Sequence, residues 1–127
     1  MNILVDSPKP FDRAVNDLQR SVAAHGFSVL STLALSDTLA TKGHPIPRRC
    51  AVLEVCNAAV ASRMLSRDTA ISLALPCRVA VFEHDQGTRL GTIAPTSILA
   101  GFDIDPAMNE AAAEVERRLR TILVEAA

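Results

Sequence analysis

The chain has 127 residues, 49% of them apolar and 21% charged, the balance of a globular domain with enough apolar side chains for a core of its own. Thirteen basic residues against fourteen acidic ones leave a formal charge of −1, which excludes a sequence-wide field attracting nucleic acid or anionic lipid. The length sets a single domain over residues 1–127 as the expectation.

Asn2 to Asp6 is a short apolar run and reads as a first strand. After the turn "SPKP", Phe11, Val15, Leu18 and Val22 recur at spacings of four, three and four, one stripe of an amphipathic helix. Gly26 stands where a glycine ends a helix in the left-handed conformation. "FSVLSTLAL" reads as a second strand, with Phe27, Val29, Ser31, Leu33 and Leu35 on one face. The segment from Ser36 to Arg49 is long for a connection in a compact domain, so it is either functional or holds a helical turn of its own.

"CAVLEVC" is the third strand, and Asn57 caps a helix from Ala58 to about Arg67. "DTAISLAL" leads to Pro76. "CRVAVFEH" and "TRLGTIA" flank Asp85-Gln86-Gly87 as a hairpin with glycine at the turn. A loop follows Pro95. Asp105-Pro106 then opens a last helix with a cap and a proline in its first turn, and Met108, Ala112, Val115, Leu119 and Ile122 form its buried stripe. The order predicts an α+β fold: a mainly antiparallel sheet of about five strands, two long helices on one face, and a shorter helix after Cys56-Asn57. One helical layer leaves the other sheet face to be covered, and the strands are apolar on both alternations. A homodimer is therefore expected.

Four phenylalanines are the only aromatics, too few for a base-stacking platform, so no nucleic-acid partner is expected. The longest charge-free run, Ser21 to Ser36, contains His25 and Gly26 and is no membrane span. The N-terminus lacks the basic and apolar regions of a signal peptide. Cys50, Cys56 and Cys77 cannot all pair within one chain, and reduced thiols in a cytoplasm are expected.

The candidate chemistry gathers around Cys56. It stands one residue before a helix cap, where unpaired N–H groups and the helix dipole favour an anion and raise a thiol's reactivity. The competing reading is packing, because a free cysteine is also a small hydrophobe. Cys77 follows Pro76 at a strand start. If the third and fourth strands are antiparallel, Cys56 faces Cys77; if they are parallel, Cys77 lies nearer Cys50. Two cysteines 21 residues apart with no C-x-x-C pair are a weak zinc signal. His25, His44 and His84 stand at no metal spacing from one another, although a dimer could complete a site across its axis. His44 is the strongest of them, beside Gly43 and Pro45 in the long loop. Glu54 and Glu83 lie within apolar strands and either reach solvent or mark a polar pocket. Arg117, Arg118 and Arg120 complement the dipole of the last helix. No phosphate loop, serine triad or H-E-x-x-H is present.

"HGF", "LEVCN" running into a helix, and "LPCRVAVFE" with its following glycine turn resemble the family of bacterial and archaeal proteins called domain of unknown function 302, over roughly Phe11 to Leu123. "CN" and "LPC" are the specific pair. The family usually has proline after the asparagine, where Ala58 stands here. The resemblance implies an α+β sandwich similar to the TATA-box-binding protein and a tendency to dimerise. It implies no activity, and a shared fold does not carry DNA binding with it.

The leading expectation is a dimeric, non-enzymatic module that binds a small ligand or soft metal through Cys56, Asn57, Cys77, His44 and Glu83. No catalytic residue is assigned, and neither a cofactor nor the metal is identified. One alternative is a thiol-dependent redox or transfer enzyme using Cys56, for which no base is in view. The other is a structural or protein-interaction domain.

Overall fold

The computed structural model describes residues 1–127. Five strands, β1 (Asn2–Ser7), β2 (Ser28–Leu33), β3 (Cys50–Cys56), β4 (Cys77–His84) and β5 (Gly87–Ile93), form one sheet in the order β1-β5-β4-β3-β2, with every neighbouring pair antiparallel. The two long helices are α1 (Phe11–Ala24) and α5 (Pro106–Ala126). Three shorter ones are α2 (Leu35–Thr41), α3 (Ala58–Arg67) and α4 (Pro95–Leu99), with a 3₁₀ turn at Thr69–Leu73. The α+β class, the strand number and the helix after Cys56-Asn57 are as the sequence implies.

Period-two alternation decides which sheet face is covered. Leu53, Val55, Val79, Val81 and Leu90 are fully buried, and they pack against Leu18 and Val22 of α1 and Leu119, Ile122 and Leu123 of α5. Each such side chain contributes roughly 1.5–3 kcal/mol by leaving water. Polar ties then fix the two helices to each other. The buried Ser21 hydroxyl donates to the Ile122 carbonyl at 2.8 Å, and His25 Nε2 lies 2.5 Å from Glu125 Oε2. A second, smaller cluster joins Met64 of α3, Ile71 of the 3₁₀ turn, Leu99 of α4, and Met108 and Ala112 of α5.

The helix ends follow local chemistry. Asn57 Oδ1 accepts the Val60 N–H at 3.2 Å, and Asp105 Oδ1 accepts the Met108 N–H at 3.0 Å, each satisfying a donor that the helix leaves unpaired. Gly26 holds φ +75 beyond the end of α1.

Three local readings need correction, and the long segment takes the second of its two readings. In β2 a register shift between Val29 and Ser31 turns Val29 toward Val55 and Ser31 toward Glu54. Strict alternation therefore fails there, as at any β-bulge, and Leu35 begins α2. The long segment after Ser36 holds α2, anchored where the Ser36 hydroxyl meets the Cys50 N–H and carbonyl, each at 3.1 Å. The hairpin turn is Asp85-Gln86, with Asp85 at φ 51, and Gly87 pairs with His84 as the first residue of β5. Gly87 is required by close approach: a Cβ there would strike the Ser7 carbonyl oxygen. Arg117 and Arg118 lie before the last turn of α5, where both bind Glu114, at 2.5 and 3.1 Å.

Candidate functional site

The face of the sheet turned away from α1 and α5 is open. One row crosses all five strands: Leu4 opposite Gly91, Gly91 opposite Ala80, Ala80 opposite Val52, and Val52 opposite Leu33. Its ends are large and its middle is small. Leu4 leans over Gly91, with Cδ2 2.5 Å from where a side chain there would begin, while the single methyl of Ala80 sets a low floor beside Val52. Large apolar side chains stand in solvent on this side, Leu4 at 49% exposure, Leu30 at 58%, Leu33 at 43% and Ile93 at 54%. A solvated antiparallel face ordinarily alternates to polar residues, whereas this one presents apolar side chains to solvent.

This face continues into a groove of about 810 Å³ bounded by α3, the 3₁₀ turn and α4, and 21 of its 30 lining residues are hydrophobic. Its size and apolar lining fall in the range of small-molecule sites. Its few polar groups include Asn57, Glu54 and Arg78, and the thiols of Cys56 and Cys77 stand among its hydrophobic residues.

Antiparallel pairing of β3 and β4 brings the cysteines together. Val55 lies opposite Cys77, and Glu54 lies opposite Arg78. Cys56 is thus one residue out of register with Cys77, and the pleat sends the two toward different faces. Cys56 shares the open face with Glu54 and Val52, while Cys77 packs against the core beside Val55 and Val79. Both still line the groove, which wraps around this end of the sheet. Burial, and secondarily the nearby Cys56 thiol, push the Cys77 thiol up to about 11. Burial thus keeps the Cys77 thiol protonated at neutral pH.

Of the five residues singled out in the sequence, Cys56, Asn57 and Cys77 meet at the groove, and His44 and Glu83 do not. Asn57 is committed to its cap. His44 is exposed after α2, its backbone N–H bonded to the Leu39 carbonyl at 2.9 Å. Glu83 lies near the far end of β4, where it accepts the Arg49 backbone N–H at 2.5 Å. The Arg49 guanidinium lies 4.4 Å above the Phe11 ring and 2.8 Å from Asp12. Arg49 therefore ties the segment before β3 to α1, and Glu83 holds its backbone against β4. No three His, Cys, Asp or Glu side chains converge as a metal-ligand set.

Arg78 and the open row were not singled out from the sequence. Their signal is the second alternation of "CRVAVFEH", where the apolar pair Ala80 and Phe82 follows the charged Arg78 on one face, with the small residue at its centre.

The family model described as Domain of unknown function DUF302 matches residues 3–126. The chain belongs to the DUF302 family. Among solved structures it is similar to an uncharacterized conserved protein DUF302 from Bacillus stearothermophilus, with 29% sequence identity over 99% of this chain and 98% of that one and a TM-score of 0.92. No curated protein matches. The "CN" and "LPC" segments that carry the DUF302 resemblance supply Cys56, Asn57 and Cys77, the residues gathered at the groove. No helix of this DUF302 chain is long and apolar enough to cross a membrane.

Proposed function

We propose that this DUF302 chain is a non-enzymatic module that binds a small, largely apolar ligand in the groove between the open sheet face and α3, and that two copies stack through their open faces to roof it. The groove itself carries the reading. An apolar concavity of about 810 Å³ with a few polar groups at its edges fits a ligand far better than a reaction. The lining contains no histidine to serve as a base beside the thiols, which weighs against the thiol-enzyme alternative. A soft metal would have to draw ligands from two chains. The exposed Leu4, Leu33 and Ile93 of the open face support the dimer, since burying them removes apolar surface that one chain leaves in water.

The test is a titration with Nile red, a neutral apolar fluorophore, against the wild type and Ala80→Phe. Ala80 lies on the open face, away from the α1 and α5 core, so the larger ring fills the groove floor and leaves the fold in place. Saturable binding by the wild type and at least tenfold weaker binding by the variant are expected. Equal binding by both proteins, or none by the wild type, contradicts the proposal.

A further inference from the structure

Resting on that groove, we propose that its ligand is an aliphatic carboxylic acid, held by its carboxylate at Arg78 with its chain lying over Val52 and Ala80 toward α3. The open face carries two arginines with different surroundings. Arg89 is held by Asp6, at 2.5 and 3.2 Å to its two carboxylate oxygens. Arg78 makes no ion pair and no side-chain hydrogen bond, although Glu54 is its partner in the ladder.

Glu54 is engaged elsewhere. Its Oε1 accepts the Ser31 hydroxyl at 2.7 Å, a contact made possible by the bulge in β2 that places Ser31 opposite it. The guanidinium is left exposed at the junction of the groove with a small recess lined by Leu33, Val52, Glu54 and Arg78. It is the only cation in the lining of either cavity.

That arrangement selects by charge as well as by shape. One guanidinium matches one carboxylate through two parallel N–H···O bonds. A phosphate monoester, with nearly two negative charges, would meet the Glu54 carboxylate beside the same guanidinium and no second cation to offset it. Phe27 and Phe82 are the only aromatic rings in the lining, so the apolar remainder of the ligand meets mostly aliphatic side chains, as a flexible chain requires.

The experiment displaces Nile red from the full chain with dodecanoate, dodecanol and dodecyl phosphate, each below its micelle-forming concentration, in the wild type and in Arg78→Gln. Arg78 is exposed and unpaired, so the variant should fold; its own Nile red affinity is measured first, and each displacement is read as the ratio of acid to alcohol within the same protein. Dodecanoate should displace the dye at about tenfold lower concentration than dodecanol in the wild type, with dodecyl phosphate weaker than dodecanoate. In Arg78→Gln the advantage of the acid should fall to within about twofold. Nile red binding with no preference for the acid overturns this inference and leaves the groove standing, as does a preference that survives in Arg78→Gln or a phosphate that outcompetes the acid. Absence of Nile red binding to the wild type overturns both.

Discussion

Cys77 shows how a single side chain couples packing to pH. In the unfolded chain its thiol ionises near 9, and in the folded chain burial holds the proton until about 11. Below about pH 9 both states keep the proton and the buried thiol contributes its full stability. Between those values the unfolded chain gives up its proton first, so stability falls as pH rises, by about 3 kcal/mol across the window. The chain has no tyrosine to titrate there. Urea unfolding at several pH values should show this loss in the wild type and a flatter profile in Cys77→Ala; parallel profiles would mean that the thiol is not buried.

Gly87 and Gly91 separate two uses of the same residue. A Cβ at position 87 strikes the Ser7 backbone oxygen, which can move only with β1. One at position 91 meets the tip of Leu4, a half-exposed side chain that can rotate away. Gly87→Ala should therefore cost about 1–3 kcal/mol and Gly91→Ala clearly less, as urea midpoints would show. The sequence marks Gly87 as a turn residue because an Asp-Gln-Gly string reads that way. The neighbour that forbids a side chain is 80 positions earlier in the chain, Ser7 against Gly87, and leaves no local trace.

At the scale of elements, α3 is set by the seam Cys56-Asn57-Ala58. Asn57 has φ −96 and ψ 105, the extended conformation that a residue before proline prefers, and Ala58 is the exposed first residue of the helix. The position is already shaped for proline. Ala58→Pro should stabilise the protein by about 0.5 kcal/mol by restricting the unfolded chain, whereas Asn57→Ala should cost about 1 kcal/mol through the lost cap. Thermal unfolding of the two variants checks both signs.

Most of the elements were legible because their signals are local: stripes for α1 and α5, caps for α3 and α5, alternation for β3 and β4. The bulge in β2 was not, since it depends on how Ser31 meets Glu54 on another strand. The helix α2 is legible only as a possible turn within a longer segment, and the 3₁₀ turn within "DTAISLAL" not at all, both being too short for a periodic stripe.

For the whole molecule, the antiparallel register of β3 and β4 decides what the site is. It brings Cys56, Asn57 and Cys77 to one groove and leaves His44 and Glu83 outside it, a choice that a sequence open to either strand direction cannot make. The half of the groove's surroundings that the sequence did not single out is the apolar row across five strands, whose members are scattered from Leu4 to Gly91 and become a surface only in the assembled sheet. Its exposure predicts a dimer at tens of micromolar by light scattering, and Ile93→Asp should shift the dimer toward monomer with little loss of fold.

The proposed ligand groove is tested most directly by recording amide proton–nitrogen correlation spectra of the labelled chain during a Nile red titration. Binding in the groove predicts shifts concentrated at Val52, Cys56, Ala61, Ala80 and Gly91, with the exposed turns of α1 and α5 unchanged. Shifts centred on His44 and the segment before β3, or scattered over the helical face, would contradict it.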